Sequence, residues 1–253
     1  MYYLFDGSYA GFLCCVFDSF ERKEWDVIPL TEKQFAGDFF IAGRTITTDP
    51  AKAKRVQQGL QTRIGREKAA GFFRAFLSED EKAWRSAFRM ITRVFKTGPA
   101  CLENFGDADL LYFSQTVKKV DRERHRVKAF IRFQKCSDGT YVALIEPDFN
   151  VLPLVATFFR KRYADQCWVI YDVKRKYGLL YDKNSVSEVT VLPGEKQLPS
   201  TAVSITLDEQ DEKCQRLWRQ YFKSTNIEAR KNPRLHLQHV PKRYWKCLVE
   251  KQV

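Results

Sequence analysis

The sequence predicts an α+β fold: a helical N-terminal lobe packed on a mixed or antiparallel sheet with hairpins and flanking helices. Three features predict it. Apolar residues recur at helical spacing through residues 50–120, two-residue alternation takes over between 127 and 181, and capping or turn residues stand at the breaks. The 253 residues read either as one compact domain over 1–253 or as two coupled lobes, 1–115 mainly helical and 116–253 basic α+β.

Tyr2-Tyr3-Leu4-Phe5 before Asp6-Gly7-Ser8 reads as a strand entering a turn, and Phe12-Leu13, Val16-Phe17 and Phe20 then follow a helical period. Residues 23–47 read as irregular. Thr48-Asp49-Pro50 starts a helix, with a capping oxygen and then a proline where no amide hydrogen is required. Ala53, Val56, Leu60 and Ile64 form its buried stripe, and Gly65 interrupts it. Ser78-Glu79-Asp80-Glu81 fits a capping box opening a third helix, which Gly98-Pro99 ends.

A fourth helix is expected from Asp107 to about Arg124, with Leu110, Phe113, Val117 and Val120 on one face. From Val127 the period becomes two: Val127, Ala129, Ile131 and Phe133 on one side, Lys128, Phe130, Arg132 and Gln134 on the other. Ser137-Asp138-Gly139 turns this strand back into Tyr141–Ile145. The corner Glu146-Pro147-Asp148-Phe149-Asn150 precedes a helix carrying Leu152, Val155, Phe158-Phe159 and Tyr163, with Asp148 or Asn150 expected as its cap. Trp168–Val173 and Leu179–Tyr181 then pair around the basic turn Lys174-Arg175-Lys176-Tyr177-Gly178. Loop and short strand fill 183–206, a helix opens at Asp208, and Pro241 starts a short docking helix in a basic, aromatic tail.

An apolar fraction of 44% with 14% aromatics excludes a disordered tail protein. No run approaches the roughly 18 apolar residues of a membrane span, and the first residues lack a basic secretory leader, so a cytoplasmic protein without membrane contact is expected. Seven cysteines without a CxxC pair argue for reduced thiols, and without a CxxxCxxC run they offer no iron–sulfur ligation. Asp6-Gly7-Ser8 lacks the glycines and following lysine of a phosphate loop. His236-x-x-His239 is the one close histidine pair and has no nearby acidic ligand. No cofactor and no metal are therefore expected.

The net charge of +12 is uneven: residues 1–110 hold 16 basic and 15 acidic side chains, residues 111–253 hold 27 and 16. A basic half beside a neutral half suits one face for a polyanion. Candidate phosphate contacts are Lys118, Lys119, Arg122, Arg124, Arg126, Lys128 and Arg132, then Arg160, Lys161 and Arg162, then Lys174, Arg175 and Lys176, and in the tail Arg230, Lys242 and Arg243. Phe130, between two cations on the expected strand, is placed to stack on a base. The candidate catalytic groups are Glu146, Asp148, Asp172 and His125; converging beside a basic groove, such acids could bind a metal or activate a water. Each acid also has an ordinary role as a cap or ion-pair partner.

Several of these runs together resemble one family. They are Phe5-Asp6-Gly7-Ser8, Thr48-Asp49, Lys118-Lys119-Val120 with His125-Arg126, Phe130-Ile131-Arg132-Phe133, Ile145-Glu146-Pro147-Asp148, Trp168 through Arg175, Arg230-Lys231-Asn232-Pro233, and Pro241-Lys242-Arg243-Tyr244-Trp245. The chain resembles an uncharacterised bacterial family described as DNA-metabolism or DNA-repair proteins. That resemblance implies a gene beside one for a radical SAM protein of DNA modification or repair, and kinship with a domain fused to uracil-DNA-glycosylase-like proteins. The family's corner often has a histidine after the aspartate, where this chain has Phe149.

The expected function is thus a DNA-binding accessory protein acting with a radical SAM partner. Two alternatives stay open: a DNA-acting hydrolase, nuclease or glycosylase-like, using Glu146, Asp148 or Asp172, and a protein adaptor without DNA contact.

Overall fold

The computed structural model describes residues 1–35, 43–190, 237 and 240–248, and the fold is α+β. The chain divides into two compact units, Met1–Arg122 and Glu123–Val253.

In the first unit, β1 (Tyr2–Phe5) leads into α1 (Tyr9–Arg22), whose N-cap Ser8 accepts the Gly11 N–H as a hydroxyl at that position should. Residues 23–47, expected to be irregular, contain two further strands, β2 (Ile28–Thr31) and β3 (Gly43–Thr45). Both pair parallel to β1 in the order β2-β1-β3. Three or four residues are too few for alternation to stand out, so these strands are defined by their pairing with β1.

Helix α2 (Pro50–Phe76) starts as expected, with Asp49 accepting the Ala51 and Lys52 N–H groups and Pro50 in the first turn. It kinks at Gly65, whose φ of 79° and ψ of 160° lie outside the helical region and favour glycine. The expected capping box at Ser78 does not form. The Ser78 hydroxyl donates instead to Ala75 O at the end of α2, and Asp80 caps α3 (Glu81–Thr97) through the Lys82 N–H. The core of this unit is aromatic: Trp84 stacks on Phe76 at 5.4 Å, meets the edge of Phe5 at 5.4 Å, and donates its indole N–H to Phe76 O.

Helix α4 (Ala108–Phe130) opens at Asp107, which accepts the Leu110 N–H at 3.0 Å and pairs with Arg93. That N–H, against some desolvation, and the Arg93 guanidinium hold the Asp107 carboxyl below its ordinary range. A lowered folded-state pKa means stabilisation that is present above the unfolded value of about 3.8 and lost as pH falls through the folded value. Asp107→Ala should therefore destabilise the first unit by about 1–2 kcal/mol at neutral pH. In thermal melts the gap from the natural chain should close as pH drops below that value.

The second unit corrects the sequence reading most. Val127 to Phe130 continue α4 and do not form a strand, because Val120, Glu123 and Val127 extend the buried stripe at spacings of three and four. The first hairpin strand shrinks to β4 (Gln134–Lys135), turning through Ser137-Asp138-Gly139 into β5 (Tyr141–Ile145). Helix α5 (Leu152–Arg162) has Val151 at its N-cap, so neither Asp148 nor Asn150 caps it; Asn150 accepts the Tyr177 hydroxyl instead. Strands β6 (Trp168–Asp172), β7 (Tyr177–Tyr181) and β8 (Val186–Thr190) complete a mixed sheet in the order β4-β5-β6-β7-β8. Only β5 and β6 are parallel, as their connection through the crossover helix α5 requires.

Cys136, Val142 and Val169 pack together on this sheet. The described cysteine side chains are free thiols. Among the described residues no helix is long and apolar enough to cross a membrane. The expected helix from Asp208, Arg230 and the pair His236 and His239 lie outside the described residues.

Candidate nucleic-acid interface

The parallel pair β5 and β6 has two ends with different chemistry. Its register sets Tyr141 opposite Trp168 at one end and Ile145 opposite Asp172 at the other, a separation of about 13 Å at 3.3 Å per residue.

The Asp172 end is closed by a clamp. Asp172 is 0% exposed. Its carboxylate accepts the Lys174 and Arg175 N–H groups at 3.0 and 3.1 Å and the Arg175 guanidinium at 2.8 Å. The same guanidinium donates to Pro147 O at 3.1 Å and Asp148 O at 3.0 Å. A carboxylate without access, surrounded by donors, is a turn anchor; it cannot reach a water or a sugar carbon. Asp172, a catalytic candidate in the sequence, is thus placed as the enclosed anchor of this turn. Arg175, a candidate phosphate contact in the sequence, has a side chain 9% exposed and serves here as its counter-charge.

Beside the clamp lies a group the sequence reading passed over. Glu123 on α4 is 1% exposed; it accepts the Asp148 N–H at 3.0 Å and pairs with Arg243 at 2.5 Å. Arg243 also reaches Asp148 at 2.9 Å. Burial, with Glu123 beside it, pushes the Tyr244 phenol upward, and the Tyr244 ring packs 5.4 Å from Phe130. Phe130 is thus half-buried on a helix against the tail, not displayed on a sheet for stacking. Glu123 was legible in principle: it is a carboxylate at the apolar spacing of Val120 and Val127. Of the remaining acids, Glu146 and Asp148 are exposed, as is His125 on α4. Among the described residues no three His, Cys, Asp or Glu side chains gather as a metal site.

The cations fall into distinct sets. Lys118, Lys119 and Arg122 are exposed on the first-unit part of α4, while Arg124, Arg126 and Lys128 are half-buried further along. Arg160, Lys161 and Arg162 project at the end of α5, and Lys174 and Lys176 at the β6–β7 turn. Helix-end cations gain from the dipole. Even so, Lys128, Arg160, Lys161 and Arg162 have no acidic partner among the described residues, whereas Arg89, Arg93, Arg44 and Lys52 of the first unit all pair with acids. Lys242 is exposed in the tail and Arg243 is held by Glu123.

At the Tyr141 end the cations meet aromatic rings. The Lys128 ammonium sits 4.7 Å from the centre of the Phe158 ring, and burial, with the Arg124 charge, holds its pKa below the ordinary range. Phe158 is among the exposed large hydrophobics. Arg162 lies 5.8 Å from the Tyr163 ring. Arg132 donates to Ala129 O and Ile131 O where α4 ends, and lines a cavity of about 350 Å³ with Ile131, Phe133, Tyr141, Tyr163, Gln166 and Trp168. Phe133 meets the edge of Tyr163 at 5.4 Å, and Phe159 stacks beneath Tyr163. The Trp168 indole N–H is buried with no hydrogen-bond partner among the described residues.

Comparison with known proteins gave one family. The family described as Domain of unknown function (DUF4130) matches residues 81–250. No curated protein and no solved structure matches the chain.

Proposed function

The chain belongs to the DUF4130 family, and from the basic, aromatic face of its second unit we propose that it is a DNA-binding accessory protein acting with a radical SAM partner in DNA repair or modification. One observation carries the reading: Lys128, Arg160, Lys161 and Arg162 form no ion pair among the described residues, and two of them lie over rings, Lys128 over the exposed Phe158 and Arg162 over the cavity-lining Tyr163. Such cations neutralise phosphates, and the rings offer faces to bases whatever their identity. The radical SAM partner is carried by the resemblance described above.

Titration of single-stranded and duplex DNA across salt concentrations tests the binding. The natural chain should bind at low salt with a steep negative log–log slope. Replacing Lys128, Arg160 and Arg162 with glutamine should flatten the single-strand slope by about 2, at roughly 0.7 per phosphate contact. Absence of binding at low salt, or a slope near zero, contradicts the proposal. Retention of the radical SAM protein on the immobilised chain checks the partner.

A further inference from the structure

We propose that the cavity at the Tyr141–Trp168 end of the sheet seats one unstacked nucleobase of a single strand. This rests on the nucleic-acid reading above and deepens it. About 350 Å³ is at the small end of ligand pockets, which run roughly 300–1,000 Å³. Its walls are Phe133, Tyr141, Tyr163 and Trp168, and its polar lining is completed by Arg132 and Gln166. Rings present faces to a planar heterocycle, and the Gln166 amide can both donate to and accept from a base edge.

The surroundings specify the rest of the ligand. None of the residues lining the cavity is acidic, while Arg132 is in the lining and Arg162 flanks Tyr163. A planar ring joined to a negative charge fits that combination, and a nucleotide within a strand supplies both. A base within a duplex is stacked on both sides and paired at its edge, so it must leave the helix to enter such a site.

The test compares a twelve-thymidine strand with an abasic deoxyribose-phosphate strand of the same length and charge, binding to the full chain. The thymidine strand should bind about tenfold more tightly, the effect of one aromatic stacking contact. Tyr163→Leu should remove most of that difference, and Tyr163→Phe should retain it. Equal binding of both strands by the natural chain overturns the pocket while the phosphate-binding proposal stands; binding of neither at low salt overturns both. A preference for thymidine that survives Tyr163→Leu means the base is read elsewhere, and also overturns it. Should Tyr163→Leu fail to fold, 2-aminopurine within a bound strand decides with the natural chain: its fluorescence should be quenched by the surrounding rings, and unquenched emission rules the pocket out.

Discussion

Arg175→Ala is expected to destabilise the second unit by about 3–5 kcal/mol, the cost of leaving a buried carboxylate without its counter-charge. Asp172 is 0% exposed, so solvent cannot replace the guanidinium. The loss extends beyond the pair, because Arg175 also ties Pro147 and Asp148 to the β6–β7 turn. Hydrogen exchange of the amides of β5, β6 and β7, read across urea concentrations, isolates this unit from the other. Adding Asp172→Asn to Arg175→Ala should recover part of the stability, since the amide removes the uncompensated charge while keeping an acceptor for the turn. A single substitution as mild as a surface change, within about 0.5 kcal/mol, contradicts the clamp.

Arg243→Ala is expected to cost about 3 kcal/mol for the same reason, at the lower end because the Asp148 N–H still satisfies one oxygen of Glu123. Here the pair joins α4 to the tail segment 242–247 across 120 residues of sequence. Its loss should free that segment as well as weaken the fold, exposing Phe130, on which Tyr244 packs. The loss should be smaller in a Glu123→Gln background, with a coupling of about 1–3 kcal/mol in a double-mutant cycle. Equal losses in both backgrounds would mean that the ion pair contributes nothing. Accelerated exchange of the Tyr244 and Leu248 amides is the local signature of release.

Some elements were legible because their determinants are local. Asp49-Pro50 opened α2 and Gly65 broke it, since capping, proline and positive-φ preferences act within one turn. Gly98 closed α3, and Ser137-Asp138-Gly139 turned β4 into β5. Val127 to Phe130 was misread because so short an alternating run also places Val127 at the three- and four-residue spacing of a helical stripe, and the continuation from Val120 and Glu123 decided between them. Strands β2 and β3 were missed because so few residues leave the choice to parallel pairing with β1.

The candidate site divides along the same line. The sequence by itself determined the α+β class, the excess of basic charge in the second half, and the presence of aromatic residues among those cations, because composition and short-range period are properties of the chain alone. Only the tertiary structure decided which charges are usable. It enclosed Asp172 with Arg175, set Glu123 against Arg243, turned Phe158 outward beneath Lys128, and gathered Phe133, Tyr141, Tyr163 and Trp168 around one cavity. The physical reason is that the task of a charge or ring depends on its solvent access and its partner, and both are set by residues distant in sequence that only folding brings near.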